Sequence, residues 1–240
     1  MTTERILSFE KAYLEVRQKE GRLYQDAEVK QLPFISKNHR HYREWQIRSQ
    51  SFRNLIKWLN QQTHYQNILE IGCGNGWLCN RLHQAGYNVH GTDINTVELS
   101  QAKRLFSEIE FSYLDIFNSR SEKKYDVVLF ASSLQYFHNP TEAILLSMKK
   151  FLKLAGCVII ADTKFYHRHK VEEAKERSNQ YFSKLQSSMS NFYFHHSYEL
   201  LKEFQVQQIR SHYTLWHKIT GRYKPFDLYI LKPLKPQDIE

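Results

Sequence analysis

Three of the chain's eight glycines, Gly72, Gly74 and Gly76, fall within five residues. Glycine is needed where the backbone takes positive φ or where another group must approach it closely. Glu70 stands two residues before this cluster, Asp93 follows 21 residues after Gly72, and Asp115 comes later still. A carboxylate at the spacing of Asp93 accepts hydrogen bonds from both hydroxyls of a ribose, so the turn reads as a nucleoside site. The dinucleotide pattern G-x-G-x-x-G is not met, because Trp77 stands where its third glycine belongs; this argues against NAD and FAD. Three acidic groups disfavour a phosphate-rich ligand. They suit one that carries hydroxyls, an ammonium and a sulfonium.

The elements that must position these residues follow from hydrophobic period. Residues 67–71 form a short apolar run of strand type, and Trp77, Leu78, Leu82 and Ala85 then recur at helical spacing until Gly86 stops the helix. The glycines therefore sit at the carboxyl end of a strand, where open α/β sheets bind ligands. The unit repeats. A strand over 88–92 ends in Asp93, and Asn95 caps a helix with Glu98 completing a capping-box start. Val97, Leu99, Ala102, Leu105 and Phe106 give that helix its apolar face. A third strand over 111–114 ends in Asp115. A fourth, over 125–131, is nearly all apolar and is predicted to be central. Asn139-Pro140 starts a helix with Ile144, Leu145, Met148, Phe151 and Leu152 inward and Gly156 as its end. A fifth strand over 157–161 runs into Asp162. Residues 205–213 and 226–232 add an antiparallel edge pair.

This alternation predicts an α/β fold with a doubly wound, mainly parallel seven-stranded sheet. Residues 1–20 read as weakly helical. Residues 44–60 form an amphipathic helix with Trp45, Phe52, Leu55, Ile56 and Leu59 on one stripe. Residues 171–190 read as a polar helix crowded with Tyr and Phe.

Composition excludes other classes. Lys and Arg number 34 against 25 Asp and Glu, giving +9, but the excess is spread thinly along the chain. Its strongest cluster is Lys37, His39, Arg40, His41, Arg43 and Arg48, interleaved with Tyr42 and Trp45. Without a stripe or tail of charge, nucleic acid is not the expected partner. No apolar run approaches the roughly 18 residues of a membrane span, and the first twenty residues lack a signal-type apolar stretch. Cys73, Cys79 and Cys157 form no C-x-x-C, which fits a reducing cytoplasm. His195 and His196 are adjacent and so point different ways; no metal is expected.

The run 68–76 (ILEIGCGNG), followed by Asp93 and then Asp115-Ile116, resembles the class I S-adenosylmethionine-dependent methyltransferases. The stretches 132–137 and 162–166 look like those of a bacterial branch. The resemblance implies a Rossmann-like fold and S-adenosylmethionine as cofactor, with S-adenosylhomocysteine as product. Gly72, Cys73 and Gly74 would then line its methionine part, with Glu70 orienting the turn. Asp93 would hold the ribose, Ile94 and Ile116 would sandwich the adenine, and Asp115 would accept from its amino group. Ala131 and Ser132 would lie near the amino-acid end and the methyl, and Arg48 would meet the carboxylate.

The organisation implied is an N-terminal helical extension over 1–62 and a methyltransferase domain over 63–240, with 163–196 inserted as a helical lid. Loops after the fourth and fifth strands would face a small-molecule acceptor, offering Gln135, Tyr136, His138, Tyr166 and His167. Tyr136 is the expected wall beside the sulfonium. His138 or His167 is the expected base where one is needed. Methylation of RNA or protein, and cofactor binding without turnover, are the alternatives.

Overall fold

The computed structural model describes residues 3–119, 123–211 and 225–234. Three helices open the chain: α1 (Thr3–Glu20), α2 (Asp26–Gln31) and α3 (Tyr42–Leu59). The alternating part follows as β1 (Asn67–Ile71), α4 (Trp77–Gln84), β2 (Asn88–Asp93), α5 (Thr96–Leu105), β3 (Glu110–Tyr113), β4 (Tyr125–Ala131), α6 (Pro140–Phe151) and β5 (Leu152–Ala161). A two-residue strand β6 (Phe165–Tyr166), helix α7 (Val171–Lys184) and another short strand β7 (His196–Ser197) come next, and β8 (Phe204–Ile209) and β9 (Leu228–Pro233) close the sheet.

The seven-stranded sheet has the order β3-β2-β1-β4-β5-β9-β8. β1 to β5 pair in parallel, and β9 runs antiparallel to both β5 and β8. β4 is the central strand, as its apolar run predicts. Val127 and Leu129 face a core layer with Leu55 and Leu59 of α3, Leu82 of α4 and Leu99 of α5. Val128 and Phe130 face the opposite layer, with Ile144 and Met148 of α6. Burying both faces requires an apolar side chain at every position, not at every second one. α1 forms a third cluster outside these layers, in which Phe9, Ala12 and Val16 pack with Phe182 of α7 and Met189.

Several boundaries and faces differ from the sequence expectation. α6 ends at Phe151, not at Gly156, because Leu152 opens β5 opposite Tyr125. Gly156 lies inside that strand, beside the register shift between Tyr125 and Val127. Leu145 (37 % exposed) and Val97 (54 %) face outward. Ser197 caps a 3-10 turn over Tyr198–Glu203, accepting from the Glu199 N–H at 3.2 Å. Residues 212 and 213 of the expected strand, and 235–240 of the expected domain, lie outside the described residues.

Candidate active site

The loop between β1 and α4 is held in left-handed backbone, with φ of 79° at Gly72 and 53° at Gly74. A side chain would cost roughly 1–2 kcal/mol at such a φ. Space is also absent, since a Cβ on Gly72 would lie 2.5 Å from Ser133 Cβ, and one on Gly74 3.0 Å from Glu98 Oε2. Thr92, next to the end of β2, ties the loop down by accepting from the N–H groups of Gly72 (2.7 Å) and Cys73 (3.0 Å). Asp93 then takes the Gly74 N–H on Oδ2 at 2.7 Å and the Asn95 N–H on Oδ1 at 2.8 Å. Each carboxylate oxygen keeps a second lone pair for a ligand hydroxyl. Burial raises the Asp93 pKa, against which the N–H groups of Asn95 and Gly74 lower it.

Two more carboxyls lie behind the loop. Glu70 is buried, accepts from the Cys79 thiol at 2.9 Å, and is pushed by burial up to about 8. Glu98 is likewise pushed up to about 7 by its burial, although Arg17 opposes the shift. The capping-box reading of Glu98 is therefore corrected. Asn95 does cap α5, accepting from the N–H groups of Val97 and Glu98, but its own N–H goes to Asp93, which leaves Glu98 to turn inward toward Gly74.

The expected residues divide between connected hollows. One, of about 550 Å³, is lined by Gly72, Asp93, Ile94, Asp115 and Ile116. The second is a narrow polar cleft of about 80 Å³ bounded by Arg48, Glu70, Gly72, Cys73, Gly74, Ala131 and Ser132, so Gly72 belongs to both. Arg48 reaches Ser132 Oγ at 3.1 Å and Glu44 at 3.1 Å. Although burial opposes it, Arg48 and Arg22 draw the Glu44 pKa down to about 2. A third hollow, of about 430 Å³, adjoins at Arg48 and Ser132 and extends beneath α7. Tyr136 borders both the first and the third, packed edge-on against Phe9 (5.4 Å) and Tyr13 (5.7 Å).

The histidines fall elsewhere. His138 lines the first hollow, beside Asp115 and Ile116, and its ring stands edge-on to Phe194 at 5.1 Å, so it is not brought to the hollow beneath α7. His167 is exposed, stacks on His169 at 5.9 Å and lines none of these hollows, because β6 ends before it and the chain turns outward into α7. Beneath α7 stands His195 instead, with Nε2 at 2.8 Å from Ser178 Oγ. His196 points the other way, Nε2 at 2.9 Å from Leu134 O.

Sequence reasoning placed a helix over 1–20 but missed its part in lining the site. Arg5 and Phe9 line the first hollow, and Tyr13 and Arg17 line the other two. The signal was the four-residue spacing of 5, 9, 13 and 17, which puts all four on one helix face. Part of the basic cluster over 37–48 is used in internal contacts. Arg40 donates to Gly21 O, His41 lies 3.1 Å from Glu20 O, His39 pairs with Glu28 at 3.3 Å, and Trp45 donates to Tyr24 at 2.9 Å. Among the described residues, no group of three or more His, Cys, Asp or Glu is placed to hold a metal ion, and no helix is long and apolar enough to cross a membrane.

A family model described as a methyltransferase domain matches residues 63–220. The chain belongs to that methyltransferase-domain family. The chain is 31 % identical over 114 residues to ubiquinone biosynthesis O-methyltransferase of Paraburkholderia phytofirmans, a match covering 44 % of this chain and 49 % of that one. It is 24 % identical over 115 residues to malonyl-[acyl-carrier protein] O-methyltransferase of Bacillus cereus, covering 46 % and 42 %. The match thus spans about half the length of these curated relatives. Among solved structures, magnesium protoporphyrin IX methyltransferase from Synechocystis PCC 6803 with bound S-adenosylmethionine matches with a TM-score of 0.57 at 14 % identity, covering 91 % of this chain and 96 % of that one. An O-methyltransferase family protein from Burkholderia thailandensis matches with a TM-score of 0.56 at 17 % identity, covering 80 % and 58 %. These likenesses establish the fold.

Proposed function

We propose that the protein transfers a methyl group from S-adenosylmethionine to a small-molecule acceptor and releases S-adenosylhomocysteine. The observation that carries this reading is the row of three hollows joined at Gly72 and Ser132, the first lined by carboxylates and isoleucines, the second narrow and polar, the third roomy. The chemistry of the lining fits the donor. Gly72 and Gly74 offer bare backbone in a space that a Cβ would fill. Asp93 has lone pairs for ribose hydroxyls, and Ile94 and Ile116 offer apolar faces for adenine, with Asp115 beside them. Arg48 and Ser132 offer donors for a carboxylate, and Ala131, Cys73 and Glu70 complete that end.

When bound, the donor supplies a methyl carbon activated by a positive sulfur. The protein's share is orientation, which holds donor and acceptor atoms in line at about 3 Å and is worth several kcal/mol. Tyr136 shields the junction of the donor and acceptor spaces, and its ring face favours a cation. The segment 163–196 covers the acceptor space as a lid that excludes water. The chain's own machinery is then the domain over 63–240 with the helices of 1–62 packed against it. All three cysteines are free and buried, which supports the cytoplasm as its compartment.

Calorimetry with S-adenosylhomocysteine, and incubation of isotopically labelled donor with a metabolite extract, test the proposal. Heat of binding and a labelled small molecule are expected. Absence of both, or binding of pyridine dinucleotides in their place, refutes it.

A further inference from the structure

Granted the donor site proposed above, the space beneath α7 has its own chemistry. Two hollows of about 430 and 300 Å³ share Ser132, Gln135, Tyr166, Tyr193 and His195, and so form one acceptor space. Four arginines line the larger, Arg17, Arg22, Arg48 and Arg177, against two carboxylates, Glu20 and Glu44. Arg22 pairs with both glutamates, and Arg48 takes Glu44 at 3.1 Å. Arg17 has Glu20 no nearer than 3.7 Å, and Arg177 pairs at 2.6 Å with Glu173, which does not line the space. Positive charge is thus in surplus, which favours an anionic occupant. Tyr166, Tyr181, Phe182 and Tyr193 supply ring faces and edges for a flat one.

The smaller hollow holds a carboxylate, Asp162, with one oxygen that makes no close hydrogen bond. The Asp162 side chain is 6 % exposed, and Arg48 comes no closer to its Oδ2 than 4.0 Å. Its Oδ1 is buried without a close hydrogen bond among the described residues; burial raises the Asp162 pKa, and Arg48 and the neighbouring Ser51 hydroxyl lower it. A buried acceptor without a close donor has an unmet bond, which a ligand O–H supplies. His195 lines the same hollow. With its Nε2–H donating to Ser178 Oγ, Nδ1 is left as a bare acceptor. Around the ring are Ser178 and Arg177 of α7, Lys164 and Tyr166 after β5, and Tyr193, with His196 next in the chain and turned away. Burial first, then His196, Arg177 and Lys164, lowers its pKa, which favours the neutral ring.

We propose that this space takes a hydroxylated aromatic anion as methyl acceptor, its reacting hydroxyl donating to His195, a second hydroxyl toward Asp162, and its anionic group toward Arg17 and Arg177. His195 Nδ1 accepts the hydroxyl proton. The acceptor oxygen's lone pair forms the new bond to the methyl carbon as the carbon–sulfur bond breaks toward sulfur, and the imidazolium later releases its proton to water.

Two probes that differ in charge test this: 3,4-dihydroxybenzoate and 3,4-dihydroxybenzyl alcohol. Calorimetry with S-adenosylhomocysteine comes first, and absence of heat overturns the donor reading instead. On the S-adenosylhomocysteine complex, the benzoate is expected to bind at least about tenfold more tightly than the alcohol, and with S-adenosylmethionine to give an O-methylated product. The exposed substitution Arg177→Gln is expected to reduce the preference for the benzoate severalfold and leave S-adenosylhomocysteine binding unchanged. His195→Gln is expected to lower kcat at pH 7 by about a hundredfold, with recovery as the pH rises and the hydroxyl ionises unaided. Equal binding of the two probes to the complex, or binding of neither, overturns the proposal. A His195→Gln enzyme with an unaltered pH profile overturns the role of His195.

Discussion

Replacing Asp93 by Asn separates the nucleoside site from the fold that carries it. In the wild type both carboxylate oxygens already accept backbone N–H groups, from Gly74 at 2.7 Å and Asn95 at 2.8 Å, and the remaining lone pairs are those assigned to the ribose. Asn keeps the shape but presents an NH₂ group on one side. One ribose bond to a charged acceptor is then lost, at about 1.5–3 kcal/mol, which corresponds to roughly a 10- to 150-fold weaker Kd. The NH₂ group also opposes one backbone N–H, so the melting temperature falls as well. Titration calorimetry with S-adenosylhomocysteine measures the first effect and circular dichroism the second. The same loss of affinity is expected for 5′-methylthioadenosine, which keeps the ribose and lacks the amino-acid tail. A folded variant with a Kd within threefold of wild type for both ligands refutes the placement of Asp93 at the ribose.

Gly72→Ala is expected to lower stability by at least about 2 kcal/mol in urea titrations, from the left-handed φ of 79° and the 2.5 Å approach to Ser133 Cβ. Burial holds Glu98 at about 7 in the fold against 4.5 for an ordinary glutamate, so its contribution is fully present below pH 4.5 and is lost as pH rises through about 7. Glu98→Gln should flatten the fall of melting temperature across that window; an unchanged slope contradicts the assignment. Asp126 behaves oppositely. Although burial raises its pKa, Lys153 and the N–H groups of Asn67 and Gln66 hold it at about 2, so its contribution is present above pH 3.8 and lost as pH falls through about 2. Asp126→Asn should cost about 2 kcal/mol of stability at pH 7 and leave S-adenosylhomocysteine affinity unaltered.

The strands were readable because burial on both faces writes itself into residue type. β1 and β4 have the bounds that their apolar runs predict, and β2 ends at Asp93. The end of α6 was not readable. Phe151-Leu152 continues the helical stripe of Ile144 and Met148, and only the pairing of Leu152 with Tyr125 decides against it. His195 escaped for a related reason. Its position depends on β7 pairing with β6, His196 opposite Phe165, a contact across some thirty residues that no local period announces. The role of α1 was obscured because the face it turns inward carries arginine and tyrosine with its phenylalanine, which blurs an apolar stripe.

That same helix has a kinetic consequence. Arg5, Phe9, Tyr13 and Arg17 run along the whole length of the donor trough, so one rod of 18 residues serves as its ceiling. A nucleoside bound there as proposed would contact this helix and hold it in place. Occupied protein should then exchange its amide hydrogens over 3–20 more slowly than empty protein.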